Sequence, residues 1–184
     1  MTGRGHRIST FAVLMAMTGS LLASALGVLG STFPDRVERI LWKKISPRHH
    51  RKTSHWFVLY VTGFVLCFSV WGDETPPCLG TFSNAVAKRP QEVGFSCAAF
   101  WFLGGLIHIL GDACCGRVPL LIPWRKTFGW KFFRMSAEWG KMSTGEVIFT
   151  GLVVLSCLWV WLSRYTQVLP GWANVRQLWL QTFI

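Results

Sequence analysis

Acidic residues are scarce in this chain: eight stand against nineteen Lys and Arg, giving a formal net charge of +11, and none precedes Asp35. That balance excludes an acidic, solvating surface and points toward anionic partners. Enzyme signatures are missing too. There is no Gly-rich phosphate loop, no GxSxG, no HExxH and no CxxC pair, so the chemistries those motifs support have no anchor. Nor is there a polar stretch long enough to fold as a separate soluble domain. The segments between apolar blocks run roughly 20 to 30 residues, too short for an ordinary core.

What the chain does have is apolar sequence laid down in blocks. It is 51% hydrophobic with a mean hydropathy of +0.37. Four stretches, at about residues 8–30, 55–71, 95–115 and 147–163, approach the ~17–25 residues a helix needs to cross the ~30 Å hydrocarbon core. We therefore expect an all-α integral membrane protein with four transmembrane helices, forming a single membrane domain over residues 1–184. A secretory signal peptide over Met1 to about Ser31 is the competing reading of the first stretch, although the run is long for a signal core of ~7–15 residues.

The basic residues fall unevenly. Residues 31–54 carry seven and residues 116–145 carry six. With four spans these two loops share one side, and the middle loop and both termini share the other. The positive-inside rule places the basic loops in the cytosol, or in the matrix of a mitochondrion. Arg4 and Arg7 then lie on the wrong side.

Small residues mark the first span, with Ala16, Ser20 and Ser24 on one line and Gly19, Ala23 and Gly27 on the next. In a bilayer such faces let helix backbones approach closely. Gly19, Ala23, Gly27, Gly104 and Gly105 are accordingly the expected packing positions. Trp124, Trp130 and Trp139 alternate with Arg125, Lys126, Lys131 and Arg134 in the third loop. This pattern predicts an interfacial amphipathic segment between spans 3 and 4, partly helical after Thr127, whose four cations hold anionic headgroups such as cardiolipin. A nucleic-acid surface shares that basic and aromatic interleaving, but a segment held between two spans does not suit it. The C-terminal tail, with Trp172 and Trp179, is also read as interfacial.

His108 and Asp112, four apart in the third stretch, share a helix face at membrane depth, where ionisable groups turn toward the protein interior. The run Phe102-Leu-Gly-Gly-Leu-Ile-His-Ile-Leu-Gly-Asp resembles the membrane anchor subunits of succinate dehydrogenase, where a mid-span His and a following Asp serve haem and quinone, although the tyrosine usual after that aspartate is missing here. The resemblance implies haem b or quinone at His108 and Asp112 as an alternative. A hydrogen-bonded His108–Asp112 pair, tied to a neighbouring helix or to Arg117, is the simpler reading. His55 sits at a span edge, so a second haem ligand is expected from another chain. His49, His50 and His55 stand among four cations that oppose a divalent ion, and no metal site is expected. Cys78 and Cys97 border the middle loop and are a candidate disulfide, whereas Cys114 and Cys115 end a helix before Gly116.

The sequence thus reads as a non-catalytic structural subunit, not an enzyme, packed among other membrane subunits and binding structural phospholipid, with no other cofactor and no nucleic acid. Its expected home is a mitochondrial respiratory complex or ATP synthase in the inner membrane. A small protein of the endoplasmic reticulum membrane and a free-standing transporter are the alternatives.

Overall fold

The computed structural model describes residues 1–42, 53–71, 90–134 and 141–165. They form five α-helices: α1 (Gly3–Thr18), α2 (Leu21–Trp42), α3 (Phe57–Trp71), α4 (Pro90–Cys115) and α5 (Thr144–Tyr165), with a single 3-10 turn at Thr53–His55 before α3. No strand occurs among the described residues, only an isolated antiparallel bridge between Val118 and Phe128. Two helices are long and apolar enough to cross a membrane, over Gly94–Cys115 and Thr144–Arg164; α3 contributes a shorter apolar stretch, Phe57–Val70.

The first apolar block is not one helix. It breaks at Thr18-Gly19-Ser20, where Gly19 adopts φ 65°, a left-handed conformation that glycine tolerates and that stops helices. The Gly19 amide closes α1 on the Met15 carbonyl at 2.9 Å. Ser20 Oγ accepts from the Ala23 amide at 3.2 Å and so caps the start of α2. A helical hairpin results, and Gly19 serves as its turn instead of lying on a packed helix face.

The hairpin changes the expected arrangement of the ends. Thr2 donates to Glu146 at the start of α5, Met1 lies against Asp112 near the end of α4, and Arg164 near the end of α5 reaches the Met17 carbonyl beside the hairpin turn. The residues flanking both basic loops therefore meet Met1 at one end of the bundle, and Arg4 and Arg7 join them there. The conflict those two arginines pose for a single first span disappears.

Close packing centres on α4. A Cβ on Gly104 would run into the Gly27 carbonyl, and one on Gly105 into the Tyr60 ring, so α2 and α3 lie directly on its glycine faces. Ala23 is fully buried with Leu14, Ala99 and Phe100; Tyr60, Leu106, Ile109, Ala113 and Val118 form a second cluster nearer the basic end.

The described part of the third loop, residues 116–134, contains no helix. Its amides are used elsewhere: Trp130 donates to the Ala113 carbonyl at 2.8 Å and Phe132 to that of Cys114 at 2.6 Å, satisfying carbonyls that α4 leaves open at its C-terminus. Backbone committed to closing another helix cannot also wind one of its own. Residues 135–140, the C-terminal tail beyond 165, His49, His50 and Cys78 lie outside the described residues; Cys97 is a free thiol.

Candidate metal centre

At the basic end of the bundle, four elements bring ionisable side chains to one point. Asp35 and Glu38, three apart on α2 just after Pro34, face inward; His55 ends the 3-10 turn; His108 and Asp112 lie one turn apart on α4. From α1, His6 stacks on His108 with ring centroids 3.6 Å apart. Three of the chain's eight acidic residues and three of its five histidines thus meet in one cluster. His6, His55, His108 and Asp112 are each no more than 2% exposed.

Four donor atoms converge. His55 Nε2 is 3.1 Å from His108 Nε2, 3.5 Å from Asp35 Oδ1 and 3.3 Å from Asp112 Oδ2; His108 Nε2 is 3.7 Å and 3.8 Å from the same two oxygens. A tetrahedral shell with metal–ligand bonds of ~2.0–2.1 Å has edges of about 3.3–3.4 Å. Five of the six separations among these atoms, 3.1–3.8 Å, lie near those edges. The His108–Asp112 separation does not match a hydrogen-bonded pair, since 3.8 Å is too long for one.

The surroundings of His55 fit the same purpose. Its Nδ1 is 3.2 Å from Glu38 Oε1 and 2.9 Å from Ser54 Oγ, and Ser54 donates to Glu38 at 2.8 Å. Tyr60 fixes the turn by donating to the Ser54 carbonyl at 3.1 Å. A carboxylate on the outer nitrogen of an imidazole fixes the tautomer and leaves the inner nitrogen's lone pair for an ion. His108 differs, because its Nδ1 is buried with no hydrogen-bond partner.

Buried carboxylates require positive charge nearby. Burial opposes charge on His55, but hydrogen bonds to Asp112, Asp35 and Glu38 outweigh it and raise the imidazole to about 10. A divalent ion supplies the same positive charge on displacing that proton.

His6 stacks on one face of the His108 ring, and the Gly104 and Gly105 faces of α4 are filled by the α2 backbone and Tyr60. Two imidazoles of this same chain, those of His6 and His55, lie beside that of His108. His6, Asp35 and Glu38 escaped the sequence reading because a continuous helix over residues 8–30 places His6 and Asp35 on opposite sides of the membrane. The available signal was Gly followed by Ser at the middle of an apolar block, a helix stop joined to a helix start.

The residues expected to hold lipid are not among the residues of this centre. Arg125, Lys131 and Arg134 are exposed and Lys126 is half-buried, beside Leu121, Trp124 and Phe132 at 71%, 69% and 67% exposure.

Helices that are apolar on their outward faces, with a polar centre held inside one end, define an all-helical integral membrane protein. The family model described as "YdjM inner membrane protein" matches residues 1–169, and the chain belongs to that family. No curated protein and no solved structure matches it.

Proposed function

We propose that this chain is a metal-dependent membrane hydrolase acting on phosphate esters of lipid headgroups. The observation that carries the reading is the convergence of His55 Nε2, His108 Nε2, Asp35 Oδ1 and Asp112 Oδ2, with five of their separations at 3.1–3.8 Å. Bound there, a divalent ion supplies Lewis acidity and lowers the pKa of water toward neutrality. Asp35, with a side chain 29% exposed, is the most open of the four ligands and marks the side from which substrate and water approach. Glu38 and Ser54 orient His55. Arg125, Lys126, Lys131 and Arg134 draw anionic headgroups to that face, while Trp124 and Phe132 set its depth.

In this reading α3, α4 and α5 cross the membrane, and the α1–α2 hairpin enters and leaves on the basic side, which faces the cytosol. Roughly 24 Å of helix in the 16 residues of α1 takes the hairpin through most of the ~30 Å core. A mitochondrial respiratory or ATP synthase subunit gains no support from the fold or the family.

A second reading keeps a non-catalytic subunit with a structural ion. It is favoured by how nearly closed the cage is, since structural sites are closed and catalytic ones keep an open position. The deciding experiment incubates the detergent-purified full chain, loaded with Zn²⁺ or Mn²⁺, with mixed micelles of phosphatidic acid, phosphatidylglycerol, cardiolipin and phosphatidylethanolamine. Release of phosphate or phosphorylated headgroup, lost with chelator and in His55→Ala, supports the hydrolase. Bound metal without hydrolysis transfers the conclusion to the structural ion, and failure to bind metal overturns both.

A further inference from the structure

We infer that the centre takes two divalent ions, with Asp112 as the carboxylate bridge between them; this rests on the metal reading above. The two oxygens of Asp112 serve different donor sets. Oδ2 faces His55 and His108 in the shell already described. Oδ1 faces the other way, 3.1 Å from His6 Nε2, 2.7 Å from the Met1 nitrogen and 4.0 Å from Cys115 Sγ. A carboxylate presenting one oxygen to each of two nitrogen-containing pockets is the usual link in paired sites, whose ions lie about 3.5–4 Å apart.

The His6 pocket is built as closely as the first. His6 is 2% exposed and stacked on His108. Donor atoms of His6, His108 and Asp112 all lie within 4.8 Å of one another, as do those of Asp35, His55 and His108. Gly111 is the floor on which the His6 ring rests, since a Cβ there would come within 3.2 Å of His6 Nδ1 and 3.3 Å of its Cε1. The Met1 nitrogen lies between Asp112 Oδ1 and Cys115 Sγ, 2.7 Å and 2.6 Å from them. An ion at this position displaces that nitrogen and takes His6 Nε2, Asp112 Oδ1 and Cys115 Sγ as ligands. One imidazole, one carboxylate oxygen and one thiolate suit a borderline ion such as Zn²⁺ better than Mg²⁺ or Ca²⁺.

The test is metal stoichiometry, which needs no substrate. The full chain, purified in detergent, is stripped with chelator, reloaded with Zn²⁺, dialysed, and measured by elemental mass spectrometry against protein concentration. The expected result is about two ions per chain for the wild type, falling to about one in His6→Ala and in His55→Ala, and close to zero in Asp112→Asn. His6→Gln, which keeps a polar side chain of similar reach, covers the case in which His6→Ala fails to stay monodisperse, and it too drops to one. Loading with Co²⁺ gives a second readout: a thiolate-to-metal charge-transfer band that disappears in Cys115→Ser. One ion in the wild type, or two that persist without His6, overturns the inference while leaving the single-ion centre standing. No ion in the wild type overturns the metal reading itself.

Discussion

The first and last apolar blocks of this protein both approach the length of a membrane span, yet one folds back on itself and the other runs straight. Residues 3–42 form two helices joined at Gly19 and Ser20, whereas Thr144–Tyr165 is unbroken, although it contains Gly151. The difference lies in local chemistry. At Thr18-Gly19-Ser20 a glycine free to adopt positive φ is followed at once by a hydroxyl that caps a new helix. Gly151 has Thr150 before it and Leu152 after it, so nothing there restarts the chain. Surroundings differ as well. The hairpin is clasped by α4 through Gly27, Gly30 and Gly104, whereas a Cβ on Gly151 would meet nothing within 4 Å.

The largest consequence is topological and has an all-or-none readout. An epitope placed before Met1 and one inserted at Gly140 are expected on the same side of the membrane, as judged by protease protection in sealed vesicles of both orientations. Epitopes on opposite sides would mean that residues 8–30 cross as one span, and the comparison between the two blocks would collapse.

Next in size is the effect of filling the clasp. Gly104→Val drives its side chain into the Gly27 backbone, which cannot rotate away as a side chain would. Overpacking that forces backbone to shift costs about 1–3 kcal/mol, and occasionally more. Loss of the monodisperse peak in detergent gel filtration is the expected result. A variant with wild-type elution and unchanged melting would show that α2 and α4 are not in contact there.

Gly19→Val probes the turn itself. A β-branched residue in the left-handed region costs about 1–2 kcal/mol, so thermal unfolding in detergent shifts downward by a few degrees. An unchanged melting temperature would show that the turn does not need positive φ.

Much of the fold was legible from composition. Apolar blocks gave the helical membrane class, and the later helices lie close to where those blocks predict them: α4 contains 95–115, and α5 contains 147–163. The site was only half legible. His108 and Asp112 stand out because ionisable groups at membrane depth are costly, whereas the cations near His55 in sequence hide its place beside them. His6, Asp35 and Glu38 could not be joined to them while residues 8–30 were read as one rod, because hydropathy averaged over a window does not register a two-residue turn. The scarcity of acid was the other signal. Asp35 and Glu38, three apart after Pro34 in a chain with so few carboxylates, are placed on one helix face, and that pairing deserved weight equal to His108 and Asp112. The helix expected after Thr127 failed for a different reason. The amides of Trp130 and Phe132 close the end of α4, a tertiary demand that no local pattern records.

The smallest expected effect is also the cleanest control on the comparison. Gly151→Ala places a methyl group where no neighbouring atom lies within 4 Å, in a helix whose interior favours alanine over glycine. Helix propensity alone predicts a gain of up to about 1 kcal/mol, opposite in sign to the losses at Gly19 and Gly104. The measurement is again thermal unfolding in detergent, where a small rise or no change is expected. A fall would mean that the face of α5 carrying Gly151 is covered by something the described residues do not supply, such as a second subunit packed on that helix. The contrast between a clasped hairpin and a lipid-facing span would then be a property of the isolated chain and not of the protein in its membrane.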